Sequence, residues 1–107
     1  MATLSTHVLD TSRGRPASGI RVTLESESGE PLGQGVTDDD GRIADLASQA
    51  LPDGVHRLRF ETGGYFAERS VDGFYPEVVV TFMLSGDEHF HVPLLLNPFG
   101  YSTYRGS

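Results

Sequence analysis

HFHVPLLLNPFGYSTYRGS, residues His89 to Ser107, is the stretch on which the fold turns. Side chains alternate faces along an extended chain. Phe90, Val92, Leu94 and Leu96 therefore form one stripe, and His89, His91, Pro93 and Leu95 the other. The first stripe is an ordinary core face. The second places two imidazoles on a surface that is otherwise apolar. Asn97-Pro98-Phe99-Gly100 reads as a turn, after which YSTYRGS returns along the strand. Domains commonly finish in a few loose polar residues, whereas Tyr104-Arg105-Gly106-Ser107 follows a strand directly. The terminus itself is expected to take part in function.

Outward from this stretch the chain reads as short strands separated by turns. Glu77 to Leu84 is a strand with Val78, Val80, Phe82 and Leu84 inward, joined to His89 by a hairpin at Ser85-Gly86-Asp87-Glu88. Leu4 to Asp10 alternates, with Leu4, Thr6 and Val8 on one face and Ser5, His7 and Leu9 on the other. Ile20, Val22 and Leu24 mark a half-buried second strand, and a short strand lies near Gln34 to Thr37. Asp38-Asp39-Asp40-Gly41 predicts a tight turn that aims Arg42 in a fixed direction. Val55 to Glu61 carries Leu58 and Phe60 inward, with His56 on the same face in a structural role. Thr62 to Ser70 is the one helix, with Thr62 as its cap. Seven or eight short strands with one helix predict an all-β, antiparallel β-sandwich in a single domain, residues 1–107. Val79, Met83, Pro93 and Leu95 leave the second faces apolar, where a solvated face would be polar. Association with other subunits is the expected cover.

Composition removes several chemistries. The chain has 107 residues and no cysteine, which excludes a disulfide framework, a thiolate nucleophile and cysteine-ligated zinc. The eight basic residues are all arginine, so Schiff-base chemistry on lysine is absent too. A net charge of −7 with scattered arginines argues against nucleic acid. MATLSTHVLD has no basic region followed by a long apolar run, so neither a signal peptide nor a membrane span is expected and the cytoplasm is the default. No phosphate-cradling glycine loop and no nucleophile elbow appears. Histidine, arginine, carboxylates and hydroxyls must carry any reaction.

Taken singly, the polar residues have modest readings. His7 and His91 fit hydrogen-bonded strand histidines, Arg42 a solvated turn residue, and Arg105 a surface ion pair. His89-x-His91, with His7 on another strand, also invites a metal site, but no carboxylate stands at an obvious ligand spacing.

The segments LSTHVLDTSRGRPA, TDDDGR and HFHVPLLLNPFGYSTYRGS together resemble the transthyretin-like family, and within it the branch of 5-hydroxyisourate hydrolases. The likeness spans essentially the whole chain, and YRGS is its most specific piece. It implies a transthyretin-like sandwich and a catalytic set of His7, Arg42, His91 and Ser107, with Tyr104, Arg105 and Gly106 binding substrate. His89 is left out of that set. The implied reaction is hydrolysis of 5-hydroxyisourate at its N1–C6 amide, without metal or cofactor, to 2-oxo-4-hydroxy-4-carboxy-5-ureidoimidazoline. One histidine would serve as base, the arginines would meet developing negative charge, and Ser107 would offer its hydroxyl or carboxylate. A homotetramer with sites in a channel between dimers is implied as well. The alternative is a non-catalytic module of the same fold that binds a small aromatic ligand, since fold alone does not settle function.

Overall fold

The computed structural model describes residues 2–47 and 49–107. Two sheets face one another. The first is built from β1 (Thr3–Asp10), β2 (Arg15–Pro16), β5 (Arg42–Ile43), β8 (His89–Asn97) and β9 (Gly100–Thr103). The second holds β3 (Arg21–Ser26), β4 (Pro31–Val36), β6 (Gly54–Phe60) and β7 (Val78–Leu84), in the order β4-β3-β6-β7. The helix α1 (Thr62–Glu68) follows β6. Between the sheets lies one apolar core. Leu4 and Val8, Val22 and Leu24, Leu58 and Phe60, Val78 and Leu84, and Leu94 and Leu96 are all nearly inaccessible. The long strands β1, β3, β6, β7 and β8 contribute their alternate residues, as a two-layer sandwich demands. Burying side chains of this size is worth about 1.5–3 kcal/mol each relative to exposure.

Three local expectations change. Ser85–Glu88 does not close a hairpin, because β7 pairs with β6 while β8 pairs with β1, so this connection crosses between the sheets. The sandwich is antiparallel apart from β1 and β8, which run parallel from Thr3↔His89 to Asp10↔Leu96. The chain between them includes the whole second sheet, and so supplies the long crossover that a parallel pair requires. Thr62 does not cap α1, since it lies in the first helical turn and donates its hydroxyl to the Tyr75 carbonyl at 3.2 Å.

The second faces are partly covered within the chain. Pro93 is buried and Leu95 half-buried, while Met83 remains 64% exposed. The C-terminal segment accounts for Pro93, because Thr103 donates its hydroxyl to the Pro93 carbonyl at 2.7 Å and Gly106 packs nearby. His56 is buried, as its inward register requires, with Nδ1 3.1 Å from the Gly54 carbonyl and its ring against Phe82.

A buried polar cluster pins α1 to the end of β1. Asp10 accepts hydrogen bonds from the Tyr65 hydroxyl at 2.8 Å and the Ser12 hydroxyl at 2.6 Å. The Arg69 guanidinium lies 3.8 Å over the Tyr65 ring, a cation–π contact. Burial alone would raise the Asp10 carboxyl, but the hydrogen bonds from Ser12 and Tyr65 outweigh it and leave the group below 3.8. A native pKa below the unfolded one means stability that is present at neutral pH and lost as pH falls through 3.8 and below. Tyr65→Phe strands a buried carboxylate oxygen, for which the cost is about 1–3 kcal/mol. Denaturant unfolding at pH 7 should show that loss. The gap between variant and wild type should narrow on acidification, as Asp10 takes a proton in both.

Candidate functional site

The parallel register decides which side chains meet. Paired residues project from the same face of a sheet. Ser5 stands opposite His91 and His7 opposite Pro93, so His7, Ser5, His91 and His89 share the face turned away from the core. Strand β5 lies on the other edge of β1 and pairs His7 with Arg42, which extends the row. The acidic turn aims that arginine. Asp38 accepts backbone hydrogen bonds from Asp40 and Arg42, both at 2.9 Å, and Gly41 adopts a φ of 75°. A side chain at residue 41 would be strained by that φ and would meet the Val8 carbonyl.

On the far side of β8 the chain returns as β9, with the turn held by the Asn97 side chain accepting from Phe99 N–H at 2.9 Å. The strand pairing lapses after Thr103 and resumes once, where Gly106 N–H donates to the His91 carbonyl at 2.8 Å. Glycine is required there. A Cβ on residue 106 would lie 2.6 Å from His91 Cδ2 and 3.2 Å from Pro93 Cγ. Ser107 is thereby delivered beside the histidines.

The result is an open cavity of about 390 Å³ whose wall includes Ser5, Asp38, Arg42, His89, His91 and Ser107. His91 also borders a neighbouring groove of about 310 Å³, lined by Val80, Met83, Phe90, Tyr104 and Arg105. The sequence-derived set is therefore divided. His91, Arg42 and Ser107 line one cavity, and His7 stands next to Arg42 in the adjoining row. Tyr104 and Arg105 line the neighbouring groove, with Gly106 at the junction. Arg105 donates to Glu88 at 3.2 Å and stacks its guanidinium 4.8 Å from the Phe90 ring centre. Within one chain it is a surface ion pair.

Ser5 and His89 are the cavity residues that the sequence set omits. The Ser5 hydroxyl lies 2.8 Å from His89 Nε2 and 2.8 Å from His91 Nδ1, and His89 Nδ1 is 2.6 Å from the Thr3 hydroxyl. The spacing His89-x-His91 carried the signal for His89, because residues two apart in a strand share a face. Ser5 gave no signal without the register.

The cavity wall sets the Arg42 guanidinium and the Asp38 carboxylate around the imidazoles. His91 titrates below the usual histidine value because it is removed from water and because Arg42, His7 and His89 surround it with positive charge. A neutral imidazole with one nitrogen held by Ser5 and the other unbound is equipped to accept a proton. Arg42 offers a planar donor fork suited to a carbonyl oxygen that gains negative charge. Among the described residues, no group of three or more His, Cys, Asp or Glu side chains is gathered so as to hold a metal ion.

Comparison with known proteins identifies relatives of the whole chain. The model of the HIUase/Transthyretin family matches residues 4–106. The 5-hydroxyisourate hydrolase of Salmonella typhimurium is 48% identical over 109 residues, covering 97% of this chain and 80% of that protein. The solved structure of Klebsiella pneumoniae 5-hydroxyisourate hydrolase superposes with a TM-score of 0.93 at 46% identity, each chain covered in full. Sea bream transthyretin in complex with thyroxine superposes at 0.87 with 30% identity, over 96% of this chain and 93% of its own. A polar cavity on a sandwich of this topology, matched over nearly its full length, places the chain in the HIUase/Transthyretin family.

Proposed function

We propose that this single-domain chain is a 5-hydroxyisourate hydrolase of urate breakdown. The observation that carries the proposal is the convergence of His91, Arg42 and Ser107 on one cavity, in a chain 48% identical to one such hydrolase and 46% to another. The substrate is a small, electron-poor ring, and a cavity of about 390 Å³ fits ligands of that class. Water is the nucleophile. His91 Nε2 removes its proton, since Ser5 occupies Nδ1 and the cationic surroundings keep the ring neutral. Attack on C6 places negative charge on the carbonyl oxygen, which Arg42 meets with its guanidinium. The N1–C6 bond then breaks, N1 takes a proton, and C6 leaves as a carboxylate. His7, in the row of Arg42, orients the ring or supplies the proton to N1. Ser107 holds the attacking water through its hydroxyl or carboxylate.

Tyr104 and Arg105 enter the site by assembly. In a homotetramer built as a dimer of dimers, the groove of Tyr104 and Arg105 and the exposed Met83 become interface, and the open side of the His91 cavity becomes a channel. No helix among the described residues is long and apolar enough to cross a membrane. We place the enzyme in the cytoplasm, where it needs no cofactor, nucleic acid or membrane. The thyroxine complex of a 30% identical transthyretin points to the alternative of ligand binding without turnover. The charged lining of this cavity favours chemistry over the binding of an aromatic ligand.

The deciding assay generates 5-hydroxyisourate from urate with urate oxidase and follows its ultraviolet decay. Wild type should accelerate that decay. His91→Ala should lose on the order of 10²–10⁴-fold, the usual worth of general-base help. An assembled wild-type protein without any acceleration would leave the binding module as the better reading.

Two further outcomes follow from the packing and the charges. Gly106→Ala pushes on the His91 ring, and a misplacement of about 1 Å in a reacting group costs on the order of 10²-fold. Its kcat should fall by about that factor while its circular dichroism stays that of wild type. Arg42→Met removes a positive charge beside His91, so the imidazolium becomes easier to form and the His91 pKa rises. Proton NMR titration of the His91 ring should show the midpoint moving to higher pH, with the acid limb of kcat/KM moving the same way.

A further inference from the structure

We propose that Thr3, Ser5 and His89 form a hydrogen-bonded proton wire that sets the tautomer of His91 and carries a proton between the cavity and solvent. The inference rests on the hydrolase reading for its purpose, but its geometry stands apart from it. Across the parallel pair, Thr3 faces His89 and Ser5 faces His91, so hydroxyls on β1 interleave with imidazoles on β8. The links run from His91 Nδ1 to Ser5 Oγ at 2.8 Å, from Ser5 Oγ to His89 Nε2 at 2.8 Å, and from His89 Nδ1 to Thr3 Oγ1 at 2.6 Å. All three are within normal hydrogen-bond length. The wire passes from half-buried His91 through buried Ser5 to His89, which is open to solvent.

A serine hydroxyl has one proton to donate, so it donates to one imidazole and accepts from the other. The wire therefore has two polarities. In the first, His91 Nδ1–H donates to Ser5, Ser5 donates to His89 Nε2, and His89 Nδ1–H donates to Thr3. His91 Nε2 then carries a free lone pair. In the second, every link is reversed, and His91 Nε2 carries a proton it can donate.

Hydrolysis drives the chain from the first state to the second. Water gives a proton to His91 Nε2. The Nδ1 proton of His91 passes to Ser5 Oγ as the Ser5 proton passes to His89 Nε2, and His89 releases its Nδ1 proton to bulk water. One proton enters, one leaves, and only N–H and O–H bonds change. The direction suits the reaction, because opening an amide to a carboxylate and a neutral ureido N–H releases one net proton at neutral pH. The groups facing His91 are Arg42 on β5, His7 on β1, His89 on β8 and Ser107 at the terminus. Removal from water, Arg42, His7 and His89 all disfavour a cation at His91, and release of a proton from exposed His89 to bulk water leaves both rings neutral.

Ser5 and His89 are thus positioning residues, and a purely structural role is the competing account. Ser5→Ala and His89→Ala should each lower kcat by about tenfold with little change in KM, a share of the roughly 10²–10⁴-fold that proton transfer supplies. The acid limb of the pH profile and the solvent deuterium isotope effect on kcat should both change. Ser5→Thr keeps the hydroxyl and should restore most of the rate, and imidazole in the buffer should rescue His89→Ala. Nitrogen-15 shifts of the His91 ring, read without substrate, should move in Ser5→Ala as the tautomer balance changes. That readout tests the wire even in a protein that hydrolyses nothing, which separates its failure from failure of the hydrolase reading. Wild-type kcat, isotope effect and nitrogen-15 shifts in both alanine variants would overturn the wire. So would equal losses in Ser5→Ala and Ser5→Thr with no rescue by imidazole. Exposed His89 tolerates truncation, so its variant remains informative if Ser5→Ala fails to fold.

Discussion

Strands β1 and β8 run side by side in parallel with Ser5 opposite His91 and Thr6 opposite Val92, and the site depends on that register. A slip of one residue would turn either Leu4 and Val8 or Leu94 and Leu96 toward solvent, and that strand's histidines into the core, because strand faces alternate with a period of two. Core burial and site geometry are therefore fixed by one constraint. Thr6 reinforces it by donating its hydroxyl to the Val92 carbonyl at 2.6 Å, a bond buried between the two strands. Many kcal/mol of apolar burial resist the slip. The core stripe thus fixes where the imidazoles stand, and the Ser5 and Thr3 hydroxyls then hold their rings.

The same register gathers imidazoles beside an exposed guanidinium on one face. His91 is half-buried, flanked by β1 on one side and the terminal segment on the other. Positive neighbours lower its proton affinity, and removal from water does the same. In a strand face packed only for stability, apolar residues would serve better than a cluster of imidazoles beside a guanidinium. Nothing in the folding of the sandwich needs Arg42 and His91 on one cavity wall. The Asp38–Gly41 turn and the Gly106 bridge, which both spend backbone freedom to aim these groups, have their rationale in the site.

Much of the fold was legible because its signals are local. The alternation over Phe90 to Leu96 gave a strand, its inward face and its burial together, and the period-two runs at Val22 and Val78 did likewise. Pairing partners were not legible. Nothing within Leu4 to Asp10 says that its neighbour lies some 85 residues on and runs parallel, and the Ser85–Glu88 turn has the composition of a hairpin while crossing between sheets. The two-residue strands β2 and β5 fall below any periodicity, yet β5 is what sets Arg42 beside His7. His7, Arg42 and His91 came from motif resemblance, which carries residue identity without geometry. Ser5 has no such motif and becomes visible only when the register sets its hydroxyl between two imidazoles. Thr62 shows the limit of local chemistry in the other direction, since a good capping residue was claimed by the Tyr75 carbonyl instead.

Likeness to a thyroxine-bound transthyretin at 30% identity and to a hydrolase at 46% identity shows how little of the sandwich specifies chemistry. The apolar stripes that build the core would serve a carrier or an enzyme equally. What this chain adds lies on one face of one sheet: two imidazoles on β8, one on β1, a guanidinium from a turn, and a glycine that lets the terminus close on His91. These groups do not need to stabilise the fold, because the opposite stripe of each strand already does so. The outer face is thereby free to carry polar groups chosen for a reaction, provided another surface covers them. Half-buried Leu95 on that face and exposed Met83 on β7 of the other sheet leave apolar surface that the homotetramer proposed above would cover.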